Sequence, residues 1–249
     1  MKIGYFQGLL SAGLKLAAVA ALCCSLASAG QVLYWTDDTE GTSAIPGAIT
    51  LAGDTGTAAT SDTDFVALLT GGTPWSGVII GIQGSPIFLY SSSIIPDLTT
   101  YANDGGLLIG ADWYSGDSSF FSLFQASVAG QNAGSITNDG SWLFTGIAGN
   151  IGIFNPVWGV YDQYYTPTGA AIGHGPSGSG YGIIQGATGS GTTFLDGPLF
   201  DSYATLSQGQ QLIANELGYT GTSTPEPGTF ALLLGSSVLL LARRKLFAR

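Results

Sequence analysis

Two short apolar runs that lack any alternation with polar residues constrain the fold of this chain most. They are residues 78–82 (Val-Ile-Ile-Gly-Ile) and 107–111 (Leu-Leu-Ile-Gly-Ala). A strand with one face in water alternates polar and apolar residues, so these runs indicate strands that are buried on both faces. Between them, residues 94–103 have a helical pattern that stops before Gly105, a residue type favoured just after a helix. This order predicts an α/β fold with a mainly parallel sheet and helices on both faces.

Weaker patterns predict the other elements. Ser61 and Asp64 have the spacing of a capping box and begin a helix that ends at Gly71. Residues 118–128 are rich in phenylalanine and indicate another helix, whereas Asn138-Asp139-Gly140 indicates a turn. The remaining predicted strands are residues 31–35, 151–154, 157–161, 169–172 and 181–184, and the remaining predicted helices are residues 43–51 and 206–217.

The N-terminal segment, residues 1–29, has the three parts of a secretory signal peptide. Lys2 and Lys15 provide positive charge, residues 16–26 are apolar, and Ala27-Ser28-Ala29 is a small-residue cleavage pattern. We expect cleavage after Ala29, and an uncleaved anchor is the alternative. Both cysteines, Cys23 and Cys24, lie in this segment, so the cleaved protein would have no disulfide and would depend on an apolar core.

The C-terminal segment combines an extended motif, an apolar run and a basic cluster. Pro225-Glu226-Pro227 is followed by the uncharged residues 229–242 and then by Arg243-Arg244-Lys245. The run is apolar on all sides and forms about 21 Å of helix, so spanning a hydrocarbon core of roughly 30 Å requires its flanking residues. We therefore expect a transmembrane helix over about 228–246, with the basic residues reaching to the cytoplasmic surface.

This tail, Thr224 to Arg249, resembles the PEP-CTERM sorting signal of Gram-negative bacteria that make exopolysaccharide. The resemblance covers about a tenth of the chain and depends on the order of the three parts at its end. It implies export by the Sec machinery, transient anchoring in the inner membrane and processing by an exosortase near Pro225-Glu226-Pro227. The expected organisation is a signal peptide (1–29), an extracytoplasmic α/β domain (30–218), a linker (219–224) and the sorting signal (225–249).

Residues 75–114 resemble the class I glutamine amidotransferase-like fold, a flavodoxin-like arrangement, in their order of strand, loop, helix, Gly-Gly, strand and sharp turn. In that family a nucleophilic cysteine lies in the turn after the strand matched here by residues 107–110. This chain has Ala111-Asp112 at that turn and no cysteine after Cys24. The resemblance therefore implies the fold without thiol catalysis.

Charge is distributed unevenly along the chain and excludes one class of partner. All sixteen acidic residues lie between Asp37 and Glu226, and that stretch contains no lysine or arginine. Carboxylates without counter-charges repel phosphate, so we expect no nucleic-acid binding. Divalent cations and basic surfaces would be attracted instead.

Acidic residues follow two of the predicted strands and are the main candidates for a site. Asp37, Asp38 and Glu40 follow the first strand, and Asp112 and Asp117 follow residues 107–111. Open α/β sheets bind ligands at the carboxyl ends of their strands, so these loops predict a Ca²⁺ or sugar site. Their spacing matches no EF-hand loop, and solvated turn residues are the alternative. Aromatic residues that could stack on sugar rings are Trp35, Trp113, Tyr114, Trp158, Tyr164 and Tyr165.

His174 is the only histidine and the only side chain suited to general base catalysis near neutral pH. It lies in a glycine-rich segment, 173–178, which we expect to be a loop, and solvated loop histidine is the alternative role. The segment matches G-x-G-x-x-G, but no helix follows it, so dinucleotide binding is not expected.

The leading hypothesis is a non-catalytic exported protein of the cell surface or the exopolysaccharide matrix of a biofilm. No cofactor is expected unless the acidic loops hold Ca²⁺. The alternative is an extracellular hydrolase with Asp37, Asp38 and Asp112 as acid and base.

Overall fold

A computed structural model describes residues 29–219. The α-helices in this range are α1 (Ile45–Ala52), α2 (Asp62–Thr70), α3 (Ile94–Asn103), α4 (Ser118–Leu123) and α5 (Leu206–Leu217). The strands are β1 (Gln31–Thr36), β2 (Thr55–Ala58), β3 (Gly77–Ile82), β4 (Leu107–Asp112), β5 (Ala126–Gln131), β6 (Ser135–Ile136), β7 (Ile151–Gly152), β8 (Gln163–Pro167), β9 (Ile172–Ser177), β10 (Gly180–Thr188) and β11 (Gly191–Asp196). Two 3-10 turns lie at Ile87–Leu89 and Trp142–Phe144.

The two apolar runs form neighbouring parallel strands, β3 and β4, and every residue of both strands is buried. Strands β2, β1, β3, β4 and β11 lie side by side in that order, and all are parallel. The prediction of an α/β fold with a mainly parallel central sheet is therefore confirmed.

Beyond β11 the same sheet continues through strands that pair in antiparallel fashion. The sequence patterns do not indicate this antiparallel pairing. β10 pairs with β11, then β8 and β5 follow, and β9 also pairs with β10. A two-residue turn at Gly189-Ser190 joins β10 to β11, and Gly189 has φ of 60°. Glycine at the first position of such a turn favours an antiparallel hairpin, because its backbone reaches positive φ without steric cost.

Helices pack against both sides of the β3 and β4 pair. A Cβ on Gly77 of β3 would lie 3.0 Å from Leu217 of α5. Gly110 of β4 faces the opposite side, where a Cβ would lie 2.4 Å from Phe124 and 2.9 Å from Phe120 of α4. Glycines inside strands allow such close approach. An apolar cluster lies on the α4 side and includes the fully buried Phe65, Phe120 and Phe124.

Carboxylates in the described range bond to backbone N–H groups, since this range contains no lysine or arginine. Ser61 Oγ accepts the Asp64 N–H at 3.1 Å, as the capping-box spacing predicts. The returning bond runs from the N–H of Thr60, rather than that of Ser61, to Asp64 Oδ2 at 2.8 Å. Asp54 likewise accepts the Gly30 N–H at 2.7 Å and ties the start of β1 to the end of α1.

Several predictions about the second half of the chain are wrong, including a strand at 169–172, of which only Ile172 belongs to a strand. The helix predicted for 118–128 ends at Leu123, and Gln125 adopts φ of 55° before β5 begins. Residues 157–161 form no strand, and the strand lies instead at β8. Residues 173–178 are not a loop, because β9 pairs with β10 through Ser177. β5 pairs with β8, which is distant in sequence, whereas β9 pairs with the next strand, β10, so strand pairing outweighs the local pattern.

The predicted signal peptide before Ala29, the end of the linker and the tail from 224 to 249 lie outside the described residues. The compact unit ends at Leu217. Across residues 29–219 the helices are all too short or too polar to cross a bilayer.

Candidate functional site

Asp37 follows β1 and binds the backbone of the segment that leaves the neighbouring strand β3. Its carboxylate accepts hydrogen bonds from the N–H groups of Gln83, Gly84 and Ser85 at 2.6, 3.0 and 2.8 Å. The Tyr90 hydroxyl donates a further bond at 2.7 Å. Burial and the Asp37 carboxylate raise the pKa of Tyr90 to about 12, so its hydroxyl remains a donor. Asp37 therefore positions the segment between β3 and α3.

Asp112, at the end of β4, forms a buried pair with Asp117. Asp112 is fully buried and Asp117 is 4% exposed. Asp112 Oδ1 accepts the Tyr114 N–H at 2.8 Å, and Asp117 Oδ2 accepts the Ile87 N–H at 2.9 Å. The two carboxyl groups also interact directly with each other, which raises the pKa of Asp112. A hydrogen bond between two carboxyl groups requires a proton, because two carboxylates offer no donor.

Burial decides where this proton is held. Burial raises the pKa of Asp112 to about 9, together with the nearby carboxylates of Asp117 and Asp37 and against the opposing effect of the Tyr114 N–H bond. Burial also raises the pKa of Asp117. Asp112 is therefore a neutral acid at pH 7, which is the protonation state of a general acid or of a hydrogen-bond donor.

An open cleft of about 430 Å³ lies beside this pair. One wall comes from the 3-10 turn at Ile87–Leu89 and the start of α3, and the other comes from Gly116 and the start of α4. Asp117 lines the cleft, whereas Asp112 lies behind it. The bond from Ile87 to Asp117 joins the two walls.

Asp38 and Glu40 lie in the same loop as Asp37, but both residues are exposed. Asp38 Oδ1 accepts the Thr39 N–H at 2.8 Å. The Glu40 N–H donates to Asp201 Oδ2, and the Glu40 carbonyl accepts from Asn155 Nδ2 at 3.1 Å. The structure thus separates these two side chains from the Asp112 and Asp117 pair.

A shared metal site does not form from the predicted carboxylates in the part of the chain that the structure describes. No group of three His, Cys, Asp or Glu side chains in residues 29–219 could hold a metal ion. Both oxygens of Asp37 already accept backbone N–H groups, which a cation would have to displace.

The aromatic residues predicted to stack on sugars fall into separate environments. Trp35 and Tyr165 are buried in the core and offer no face to a ligand. Trp113 and Trp158 line a second cavity of about 160 Å³. Tyr114 and Tyr164 are half-buried, and the Tyr114 ring lies 6.2 Å from that of Phe88 at the 430 Å³ cleft.

His174 lies far from these carboxylates in the sheet. It belongs to β9, which β10 and β11 separate from β4. Its Nε2 lies 3.0 Å from Gln185 Oε1, so its position is fixed by a neighbouring strand. A base needs a nucleophile within hydrogen-bond reach, and Gln185 is not one.

Sequence reasoning missed a second buried carboxyl pair, formed by Asp196 of β11 and Glu216 of α5. The spacing of apolar residues could have indicated that Glu216 is buried. It lies four residues after Leu212 and three after Ile213, which places it on the buried face of α5. No comparable signal marks Asp196, since only the packing of α5 on β11 brings its partner close.

The fold and this site together define an acidic α/β protein whose strand-end carboxylates bond to the backbone and to each other. No protein-family model matches the chain, and no curated protein sequence is significantly similar to it.

Solved structures give only distant likenesses. A cytoplasmic protein from Salmonella typhimurium is similar with a TM-score of 0.51 and 11% identity, over 75% of this chain and 97% of that one. A GMP synthase protein from Thermoplasma acidophilum has a TM-score of 0.48 and 13% identity, over 76% and 93%. An exo-β-1,4-mannosidase from Opitutaceae bacterium strain TAV5 has a TM-score of 0.43 and 16% identity, over 84% of this chain and only 38% of the mannosidase. Likenesses at such low sequence identity bear on the α/β fold alone and give no information about function.

Proposed function

We propose that this chain is a non-catalytic exported protein of the cell surface or the exopolysaccharide matrix of a Gram-negative bacterium. Its tail would act as a PEP-CTERM sorting signal. The folded part would be an amidotransferase-like, flavodoxin-like domain with helices on both faces of its sheet and without the family's catalytic cysteine.

One observation carries the non-catalytic part of this proposal: the strand-end carboxylates are engaged in internal bonds. Asp37 bonds to three backbone N–H groups and to Tyr90, and Asp112 is fully buried against Asp117. His174 bonds to Gln185 on another part of the sheet. None of these groups is arranged as a base beside a nucleophile, which acyl transfer or hydrolysis through an activated side chain requires.

The proposed partners follow from the terminal segments. Residues 1–29 would engage the Sec machinery and be cleaved after Ala29. Residues 228–246 would hold the chain in the inner membrane until an exosortase acts near Pro225-Glu226-Pro227. The released acidic domain would meet exopolysaccharide and would not bind nucleic acid.

Intact-mass measurement on protein from the cell exterior tests the sorting. We expect a chain that begins at Gly30 and lacks Arg243, Arg244 and Lys245. Glu226→Ala should leave uncleaved protein in the inner membrane, and the neighbouring Ser223→Ala is the matched control. Wild-type protein outside the cell that still ends at Arg249 would contradict processing at the tail.

A hydrolase is the second candidate, and the position of Asp117 favours it. Asp117 lines the 430 Å³ cleft and shares a proton with Asp112, so this pair could supply an acid to a bound substrate. Asp37 and Asp38 are the other predicted acid and base. Their carboxylates accept hydrogen bonds from the backbone N–H groups of Gln83 and Thr39 instead. A screen with glycoside and ester substrates separates the candidates. Turnover that Asp112→Asn and Asp117→Asn both abolish would replace the non-catalytic proposal.

A further inference from the structure

The 430 Å³ cleft beside Asp117 has the size of a small-molecule site, because such sites span about 300–1,000 Å³. The hydrogen bond from the Ile87 N–H to Asp117 holds its two walls together at 2.9 Å. Asp117 itself is held by Asp112. The cleft is thus pre-formed around a fixed carboxyl group.

Hydroxyl groups that lack protein partners line both walls. Ser92 lies on one wall, and Ser118 and Ser119 lie on the other. All three residues are exposed, and within residues 29–219 their hydroxyls make no hydrogen bond to another group. They can therefore donate to and accept from a ligand without breaking an existing bond.

An aromatic ring stands at the rim of the cleft. Phe88 is 67% exposed, although a phenylalanine ring of this kind is usually buried. Its ring contacts Tyr114 edge-on, at 6.2 Å between centroids and 65° between planes. An exposed ring in such an edge-on contact can stack on a ligand.

The charge of the cleft restricts what can bind. Asp117 and Asp112 lie at one end of the cleft. At the other end, Asp62 accepts a hydrogen bond from the Ser91 N–H. Residues 29–219 contain no lysine or arginine that could neutralise these carboxylates. Uronate, sulfate or phosphate groups would be repelled. A cation would find only one lining carboxylate, Asp117, and no group of three such ligands exists among the described residues.

We propose that this cleft is a binding subsite for a neutral saccharide, with Phe88 stacking on a sugar ring and the serine hydroxyls and Asp117 bonding to its hydroxyl groups. This rests on the proposed function, because a matrix saccharide is met outside the cell. The subsite selects uncharged polysaccharide over acidic polysaccharide by repulsion.

The test measures binding by the full chain, purified in a detergent without a sugar headgroup, with calorimetry. The probes are neutral gluco-, galacto- and manno-hexasaccharides and an alginate hexasaccharide as the acidic counterpart. We expect at least one neutral probe to bind and alginate not to bind. Phe88→Ala should weaken that binding by about tenfold or more, since the stacked ring is removed.

The matched control is Phe154→Ala, which removes a ring that is 60% exposed at a distant loop and should leave affinity unchanged. Ser119→Trp should also abolish binding by filling the cleft, with an unchanged melting temperature. No binding of any neutral probe, tighter binding of alginate, or equal affinity in Phe88→Ala and wild type would each overturn the inference. Export is read separately from the mass of the secreted chain, so failure here is distinguishable from failure of the sorting proposal.

Discussion

Asp196 and Glu216 form a fully buried pair of carboxyl groups between β11 and α5. The two carboxyl groups interact directly with each other, and no other group in residues 29–219 donates a hydrogen bond to their four oxygens. The Tyr203 hydroxyl lies near both but reaches neither. Burial raises the pKa of Asp196 to about 7 and that of Glu216 well above its usual range. One proton therefore holds α5 to the sheet at this point.

Glu216→Gln should make stability less dependent on pH. Both carboxyl groups have higher pKa values in the folded than in the unfolded protein. The pair therefore makes its full contribution to the free energy of unfolding below about pH 4, and this contribution is lost as pH rises through about 7. The introduced amide would donate to Asp196 without titrating. We expect a gain on the order of 1–2 kcal/mol at pH 8 and little change at pH 4. Thermal melts from pH 4 to 9 measure this, with the exposed Glu40→Gln as control. Parallel pH profiles for Glu216→Gln and wild type would contradict the shared proton.

Asp112→Asn should stabilise the protein at neutral and alkaline pH. Asp112 stays protonated up to about pH 9 in the folded state, whereas it ionises near pH 4 when unfolded. The free energy of unfolding of the wild type should therefore fall as pH rises from about 4 to 9, and the loss at pH 7 should be on the order of 2–4 kcal/mol. The introduced asparagine does not titrate in Asp112→Asn, so this dependence on pH should disappear. Urea titrations at pH 4 and 8 provide the measurement. The exposed Asp104→Asn is the control, and a variant that loses stability at pH 8 would argue against a neutral Asp112.

Asp37→Ala should destabilise the segment between β3 and α3. Three backbone N–H groups and the Tyr90 hydroxyl would lose their acceptor, which costs about 2–4 kcal/mol in total when some of them rebond to water. Asp38→Ala removes a carboxylate that accepts one exposed bond and should cost less than about 1 kcal/mol. Hydrogen exchange of Gln83, Gly84 and Ser85 localises the effect. Equal losses in the two variants would mean that Asp37 does not hold this segment.

Calcium should stabilise the protein no more than sodium at equal ionic strength. The described residues hold no group of three metal ligands, so added salt acts by screening repulsion among carboxylates. Melts in chelator, in millimolar CaCl₂ and in matched NaCl compare the two effects. A larger shift in CaCl₂ would reveal a specific site and restore the predicted Ca²⁺ binding.

Trypsin should not cut between Lys15 and Arg243, even after heat denaturation, because this stretch has no lysine or arginine. Mass spectrometry of the digest should find no cleavage between Gly30 and Arg243. Chymotrypsin is the control, since its aromatic sites are frequent and should be cut only when the chain unfolds. Resistance to trypsin is thus a property of the composition, and resistance to chymotrypsin is a property of the fold.

The sequence by itself determined the elements whose patterns are local. β3 and β4 were predicted because every residue of each strand up to Asp112 is apolar or glycine. α3 and α5 were predicted because each has a helical spacing of apolar residues and is followed by a glycine. Placing Asp37, Asp112 and Asp117 near one edge of the sheet needed only the rule that parallel strands end on the same side. The lack of lysine and arginine between Asp37 and Glu226, and with it the expectation that nucleic acid does not bind, also comes from the sequence.

Only the tertiary structure decided which of these groups bond to each other. β5 and β8 are strands because they pair with each other at separations of up to 41 positions, as Ala126 does with Pro167, and no local period indicates such pairing. β9 is a strand because it forms a hairpin with β10, although its glycines and proline are typical of a loop. Asp37 bonds to backbone donors, whereas Asp112 and Asp117 share a proton, and that difference depends on which loop packs over each side chain. Asp196 and Glu216 meet because α5 folds back onto β11. Burial and proximity set their protonation, and both are properties of the packed chain.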